Sequence, residues 1–232
     1  MLINGVDILT TYKAKLLSKQ IQAAEVTVFD DWVRKALNPL YLGDQEKFKI
    51  LKVEILIVDT TDNACLYNIS NLLTQMKRCI IKFDDIDFYY SCTLSSSDSS
   101  RLIVSGHYIV TAEFKSGYAY LPEVTETLDH VDHIHVTALG NLPSPAILTI
   151  TPATNMASLI LTGFVQQITV SSLTSGVPVI IDGELCTALQ NGANKFGSLD
   201  MWEFPYLTPG AMTITTSNSN GVITVKYKPK FL

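Results

Sequence analysis

The chain has 232 residues, of which 47% are hydrophobic and 17% are charged, and its formal net charge is −5. A chain this apolar can bury a large core, which excludes intrinsic disorder as its overall state. No stretch is basic enough to follow a phosphate backbone, so we expect neither charge-driven nor sequence-specific binding of nucleic acid.

Two segments bear on membrane insertion, and neither predicts it. Residues 1–7 carry an early acid and no long apolar run, unlike a signal peptide. Residues 136–181 contain no Asp, Glu, Lys or Arg, but Pro143, Pro145 and Pro152 interrupt them well short of a membrane span. We expect β-structure there, with Ser and Thr on one face.

The cysteines are scattered along the chain. Cys65, Cys79, Cys92 and Cys186 form no C-x-x-C pair, which argues against a zinc site. We expect all four to be buried apolar groups in a protein made in a reducing cytosol.

The first half predicts strands around one amphipathic helix. Its strongest strand is Phe48–Asp59, which is rich in β-branched residues and ends at a polar turn. Apolar residues then recur with helical spacing from Ile69 to Ile80, and Asn68 or Ser70 can cap the start of this helix. The other predicted elements are strands at Ile80–Phe83, Phe88–Leu94 and Leu102–Phe114, and a loop at Ser95–Ser100.

The second half shows no helical period and predicts a β-sandwich of short strands joined by Asp-Gly and Asn-Gly turns. Its clearest predicted hairpin joins Met212–Thr216 to Val222–Tyr227. The other expected strands are His133–Ala138, Ala146–Thr151, Ser158–Phe164, Val165–Ser171 and Val177–Ile181. The expected turns are Asp182-Gly183, Asn191-Gly192 and Asn220-Gly221.

Charge density divides the chain into two parts. Residues 1–125 hold 28 of the 39 charged side chains, and a polar connection is expected near Pro122–Asp132. We therefore predict a mainly β protein of two domains: a β-rich domain with one α-helix over residues 1–125, and a β-sandwich over residues 126–232.

One cluster of potential metal ligands stands out, formed by His130, Asp132, His133 and His135. His133 and His135 share a face of their predicted strand, but the sequence supplies no third ligand. We expect polar residues at a strand edge and no bound metal.

The sequence contains no recognisable catalytic motif. There is no nucleophile elbow, phosphate loop or dinucleotide fingerprint. Asp84, Asp85 and Asp87 can be paired carboxylates, but an acidic turn between strands explains them equally well. The sequence predicts no catalytic residues, no cofactor and no enzymatic activity, and the sequon Asn68-Ile69-Ser70 has meaning only in a secreted protein.

Aromatic residues are concentrated in the segment from Asp200 to Pro209. Trp202, Phe204 and Tyr206 can line a sugar-binding face, or they can pack into the fold. We expect the second arrangement, because burying three aromatic side chains is worth several kcal/mol at about 25 cal/mol per Å². Tight sugar binding is therefore not expected.

An ordered set of segments resembles the siphophage distal tail protein (Dit) family over nearly the whole chain. In the second half, these segments are Val179–Gly183, Asp200-Met201, Phe204–Gly210 and Val222–Leu232. In the first half and at the junction, they are Leu51–Val58, Asn68–Cys79, Lys82–Asp85, Phe88–Tyr90 and Gly140–Pro145.

The resemblance implies a structural protein of the virion tail tip, made in the bacterial host cytoplasm by a phage or prophage. It implies a homohexameric ring built by the first domain, which joins the major tail tube protein to the tail-associated tip hub protein. It also implies an outward, galectin-like second domain on which some relatives mount a receptor-binding protein. The alternative interpretation is a carbohydrate-binding β-sandwich that recognises the host surface.

Overall fold

The structure is a computed structural model that describes residues 1–35 and 37–232. The chain divides into two compact units, one comprising Met1–Tyr120 with Leu232 and the other Leu121–Phe231. The division falls a few residues before the 125/126 boundary expected from the sequence. The difference arises because Val124–Asp129, which we took as part of the connection, is a strand that pairs within the second unit.

The first unit contains nine strands and two helices among its described residues. The strands are β1 (Leu2–Ile3), β2 (Val6–Asp7), β3 (Ala14–Gln22), β4 (Val26–Asp31), β5 (Leu40–Glu46), β6 (Lys49–Val58), β7 (Arg78–Lys82), β8 (Tyr89–Arg101) and β9 (His107–Tyr120). The helices are α1 (Ile8–Tyr12) and α2 (Asp62–Met76). An antiparallel sheet has the strand order β2-β1-β7-β8-β9-β6-β3, and β4 and β5 form a separate two-stranded ribbon.

The core of the first unit lies between this sheet and α2. Alternate residues of β6 are buried, as the period of a half-covered strand requires. The helix buries a stripe at spacings of three and four residues. The buried residues of these two elements are Leu51, Val53, Ile55, Ile57, Cys65, Ile69, Leu72 and Met76.

Helix α2 begins earlier and ends earlier than the sequence predicted. Thr61 is the N-cap, and its hydroxyl accepts a hydrogen bond from the Ala64 N–H at 3.2 Å. The helix ends at Met76, and Ile80 lies in β7 with its side chain exposed. The prediction was wrong here because Ile80 continues a helical stripe as well as an alternating strand.

The loop predicted at Ser95–Ser100 was also wrong. These residues continue β8, which pairs with β9 as far as Arg101 and contains two register shifts. Pairing with the partner strand overrides the low strand propensity of Ser and Asp. The turn instead lies before β9 and ends at Gly106, whose φ is +73° and where a Cβ would lie 2.2 Å from the Asp59 carbonyl oxygen.

The second unit is a β-sandwich. Its strands are β10 (Val124–Asp129), β11 (His133–Ala138), β12 (Ser144–Pro152), β13 (Met156–Thr162), β14 (Ile168–Leu173), β15 (Val179–Asp182), β16 (Thr187–Gln190), β17 (Ala193–Asn194), β18 (Leu199–Asp200), β19 (Tyr206–Leu207), β20 (Gly210–Thr216), β21 (Gly221–Tyr227) and β22 (Lys230–Phe231). One sheet has the order β10-β21-β12-β15-β16-β17, with β19 beside β12, and the other has the order β11-β20-β13-β14-β18. Buried residues of both sheets form one core.

The hairpin predicted between Met212–Thr216 and Val222–Tyr227 was wrong. Strand β20 pairs with β11 and β13 in one sheet, whereas β21 pairs with β10 and β12 in the other. The connection therefore crosses between the sheets. Alternating strands look alike in sequence whether they pair with each other or face each other across a core.

The other two predicted turns form hairpins. Asn191 and Gly192 have φ values of 51° and 76°, as a tight turn between β16 and β17 requires. The turn after Asp182 joins β15 to β16, and the Asp182 carboxylate accepts hydrogen bonds from the N–H groups of Glu184 and Leu185. The fold is thus mainly β in two units, as the sequence predicted.

Candidate functional site

The most exposed apolar surface of the first unit belongs to the ribbon of β4 and β5. The two strands pair from Val26–Glu46 to Asp31–Leu40, with a register shift after Phe29. Among the described residues, no further strand pairs with either of them. We call β4, β5 and the described residues that join them, 32–35 and 37–39, the apolar ribbon.

Large apolar side chains of the apolar ribbon face solvent on both strands and in their connection. Their exposed fractions range from 47% at Val26 to 94% at Leu37. The members of this set are Val26, Val28, Phe29, Trp32, Val33, Leu37, Leu40, Tyr41 and Leu42. Such a concentration of exposed apolar residues is typical of interaction surfaces.

Few polar contacts stabilise the apolar ribbon. At its base, the Lys47 ammonium lies 3.1 Å from the Glu25 carboxylate, and the Lys47 N–H donates to the Glu25 carbonyl at 2.8 Å. The Tyr41 hydroxyl donates a hydrogen bond to Asp44. A two-stranded ribbon alone is marginally stable in water. A molecule packed against its apolar faces would therefore stabilise the ribbon.

The sequence interpretation missed this surface entirely, because it assigned no element between residues 8 and 47. The signal was present as a period of two, in Val26 and Val28 and again in Leu40 and Leu42. Both segments are short and contain acidic residues, so they resemble half-buried strands. Pattern alone does not reveal that neither face packs on a core.

The histidines predicted to lie together do so only in part. His133 and His135 occupy the edge strand β11, with ring centroids 5.6 Å apart. His135 Nδ1 lies 2.9 Å from the Thr213 hydroxyl, so this ring is hydrogen-bonded within the sheet. His133 Nδ1 donates to Asp132 at 2.6 Å, and this bond holds the pKa of the Asp132 carboxyl below its usual value.

His130 lies outside β11 and donates to its neighbour Asp129 at 2.6 Å. Within residues 1–35 and 37–232, no group of three His, Cys, Asp or Glu side chains is arranged to hold a metal ion. That the histidines carry no metal remains a prediction.

The three aspartates considered as paired carboxylates form separate ion pairs. Asp84 lies 2.7 Å from the amino group of Met1, Asp85 pairs with Lys19, and Asp87 is 3.6 Å from Lys82. The Lys19 ammonium lowers the pKa of Asp85 below its usual value. Each carboxylate has its own cation, which is the arrangement of an acidic turn and differs from a shared proton-transfer pair.

Cys65, Cys79 and Cys92 are buried free thiols as predicted, but Cys186 is exposed and corrects that expectation. Burial raises the pKa of the Cys79 thiol to about 12. Cys186 is exposed because it occupies the turn after β15 with a φ of 53°.

None of the helices in the described part of the chain has both the length and the hydropathy to cross a membrane.

The three aromatic residues expected to pack together do not. The side chain of Trp202 is 91% exposed, which contradicts its predicted burial. Phe204 packs against the sandwich core and stacks on Phe196 with ring centroids 6.0 Å apart. Tyr206 is half-buried in β19, and its hydroxyl donates to Glu203 at 3.2 Å. Burial thus accounts for two of the aromatics and leaves Trp202 unexplained.

Comparison with known proteins points to phage tails. Residues 139–231 match the family model of the siphovirus-type tail component, C-terminal domain. No curated protein sequence matches the chain.

Solved structures extend the similarity to the whole chain. The crystal structure of the SPP1 Dit protein, described as a paradigm of the hub adsorption apparatus in phages infecting Gram-positive hosts, has a TM-score of 0.77 at 14% identity, covering 100% of this chain and 98% of that one. A chain of the phage P2 baseplate in its activated conformation with Ca has a TM-score of 0.57 at 8% identity, covering 97% and 93%. The same baseplate with Sr gives 0.57 at 9% identity, with the same coverage. These structures share the fold of this chain.

Proposed function

Since the chain belongs, through residues 139–231, to the distal tail protein (Dit) family of siphovirus-type tail components, we propose that it is the ring-forming distal tail protein of a phage or prophage. Six copies close a ring through the first unit. The ring joins the major tail tube protein to the tail-associated tip hub protein at the virion tail tip. The protein is made in the host cytoplasm and has no enzymatic role.

The observation that carries this proposal is the apolar ribbon. Nine large apolar side chains within residues 26–42 are exposed in the single chain. Exposed apolar surface of this extent favours association, because covering it removes the apolar groups from water. A ring subunit needs a surface that docks on its neighbour, and the apolar ribbon offers such a surface.

Ring closure needs a head-to-tail interface, in which one patch of the subunit meets a different patch of the next. The apolar ribbon supplies one patch, because its two faces are exposed and only one base anchors it. Its partner patch lies on the first unit of the neighbouring copy. The second unit faces outward and supports host-adhesion parts such as a receptor-binding protein.

The chain's acidity agrees with a conduit for DNA. A lumen built from a protein of net charge −5 would repel the phosphate backbone and let DNA pass without being held. A cleft of about 400 Å³ on the sheet face of the first unit carries mixed charges, with Lys52 3.2 Å from Glu113 and the Ser18 hydroxyl donating to Glu54 at 2.8 Å. Such a self-compensated face offers DNA little attraction.

The test is the native mass of the full chain together with negative-stain images. We expect a closed hexamer at high protein concentration and moderate salt. The double substitution Val28→Lys with Leu42→Lys, on the two strands of the apolar ribbon, should give monomers. Leu185→Lys is the matched control, because Leu185 is an apolar residue of the second unit with 71% exposure, and it should leave the hexamer intact. A wild-type protein that stays monomeric, or a ribbon variant that still forms rings, would overturn the proposal.

A further inference from the structure

Trp202 is exposed to solvent, and most of the residues beside it are polar. It follows β18 in an irregular segment of the second unit, and 91% of its surface faces solvent. Leaving an indole in water forfeits the burial that normally stabilises a tryptophan in a fold. The indole is therefore free of the core of the second unit and accessible to a ligand.

A cleft of about 330 Å³ opens beside this indole. We call it the Trp202 cleft. Its lining residues are Gln166, Gln167, Thr169, Asp200, Met201 and Trp202. The volume is at the lower end of the range for small-ligand sites, which suits one or two rings of a ligand.

Sheet register brings the polar groups of the Trp202 cleft together. Thr169 of β14 and Asp200 of β18 are direct cross-strand partners, so their side chains share a face of the sheet. Gln167 lies two residues before Thr169, and its amide donates to the Thr169 hydroxyl at 3.4 Å. An amide, a hydroxyl and a carboxylate therefore converge next to one flat aromatic ring.

This combination matches the chemistry of a saccharide. A pyranose ring has an apolar face of C–H groups that can lie on an indole, and a rim of hydroxyls that both donate and accept. The Asp200 carboxylate accepts from hydroxyls, and the Gln166 and Gln167 amides can donate to them as well as accept. We propose that the Trp202 cleft binds a neutral saccharide of one or two rings.

The lining decides between ligand classes. Asp200 is the only charged side chain among the lining residues, and no Lys or Arg of the described chain lines the cleft. An anionic sugar would meet an uncompensated carboxylate, so the site favours a neutral one. A docked protein would need an apolar patch around its anchor, as in the apolar ribbon, but the neighbours of Trp202 in the cleft are mostly polar.

The proposal concerns the second unit and does not depend on ring formation. A chain that forms rings but binds no sugar would refute only the Trp202 cleft. A chain that binds sugar but stays monomeric would refute only the ring.

The chain allows a direct optical test, because it contains two tryptophans, Trp32 and Trp202. In the Trp32→Phe variant of the full chain, all tryptophan fluorescence reports on the Trp202 cleft. The probes are maltose, lactose, cellobiose and N,N′-diacetylchitobiose, each titrated to about 50 mM, where millimolar affinity gives clear saturation. We expect a saturable change with at least one of these neutral disaccharides and none with the anionic 3′-sialyllactose.

Variants then assign the binding to the cleft. For the disaccharide that responds, ligand-detected saturation-transfer NMR should show the signal lost in Trp202→Ala and weakened at least about tenfold in Asp200→Asn. The Leu185→Ala variant, which removes another exposed apolar residue of the same unit (71% exposed), should bind as the wild type does. Unchanged circular dichroism and melting temperature would show that each variant is folded.

Three results would overturn the proposal: no saturable response to any of the four neutral disaccharides, a response to sialyllactose alone, or undiminished sugar binding in a folded Trp202→Ala variant.

Discussion

The two units expose apolar surface in opposite ways. In the first unit, the apolar ribbon spreads many large side chains over two strands that pair with no other described strand. In the second unit, the sandwich closes its core and leaves Trp202 exposed in a mainly polar cleft. We infer from this difference that the surroundings of an exposed apolar residue, more than its exposure, indicate what kind of molecule would cover it. Apolar neighbours favour a protein partner, and hydrogen-bonding neighbours favour a small polar ligand.

The sharpest way to break this comparison is to separate the units. A fragment ending at Tyr120 keeps the apolar ribbon and the buried residues assigned to the first core. If the proposed function is right, this fragment should form a closed ring as the full chain does, because the proposed ring interface lies in this unit. Native mass spectrometry of the fragment gives the answer. If only the full chain assembles while the fragment is folded and monomeric, the second unit contributes to the ring.

The cores of the two units allow a second contrast. Leu72 in α2 and Leu148 in β12 are both fully buried, in separate clusters. Leu→Ala at either position should lower the free energy of unfolding by about 2–5 kcal/mol. We expect Leu72→Ala to lower the melting transition of the first unit and Leu148→Ala that of the second, as followed by calorimetry. A single transition shifted equally by both substitutions would show that the units unfold together.

A smaller effect is expected at the start of α2. The Thr61 hydroxyl is the N-cap acceptor for the Ala64 N–H. Thr61→Ala should lower the stability of the first unit by about 1 kcal/mol, and Thr61→Ser should restore most of it. Urea denaturation of the three proteins measures this loss. Equal stability of all three would mean that water or another group caps the helix.

The smallest effect is expected at the exposed indole. Because Trp202 is 91% exposed, Trp202→Ala should change the free energy of unfolding by less than about 0.5 kcal/mol. Phe204→Ala is the matched comparison, since Phe204 packs on the core and should cost distinctly more. A large loss of stability in Trp202→Ala would return the indole to the fold and remove the physical basis of the Trp202 cleft.

Sequence patterns predicted the strands that face a core on one side. Strand β6 and strand β11 appear where alternation placed them, because a half-buried strand imposes its period on the residues themselves. The start of α2 was missed because Thr61 and Asp62, which begin the helix, are also common turn residues. Thr and Asp are common both in turns and at the first positions of helices, so these residues alone are compatible with either structure.

The remaining errors concern properties that no local pattern contains. Ser95–Ser100 is a strand because β9 supplies a partner, and β20 and β21 separate because each finds its partners elsewhere in the chain. The exposure of the Trp202 side chain depends on the path of the irregular backbone that follows β18. The functional surfaces were therefore the hardest part to predict, since an exposed residue is constrained by what it will bind and that partner is absent from the sequence.

The crossing between β20 and β21 has a consequence for how the second unit folds. Strand β21 is central in its sheet, where it pairs with β10 and β12, two strands made much earlier in synthesis. No local hairpin brings β21 into this sheet, because β20, its neighbour in sequence, belongs to the other sheet. Closing such distant contacts is entropically costly and slow. The first sheet of the sandwich is therefore complete only after β21 has left the ribosome, whereas β1 to β9 of the first unit are all made before the first strand of the sandwich.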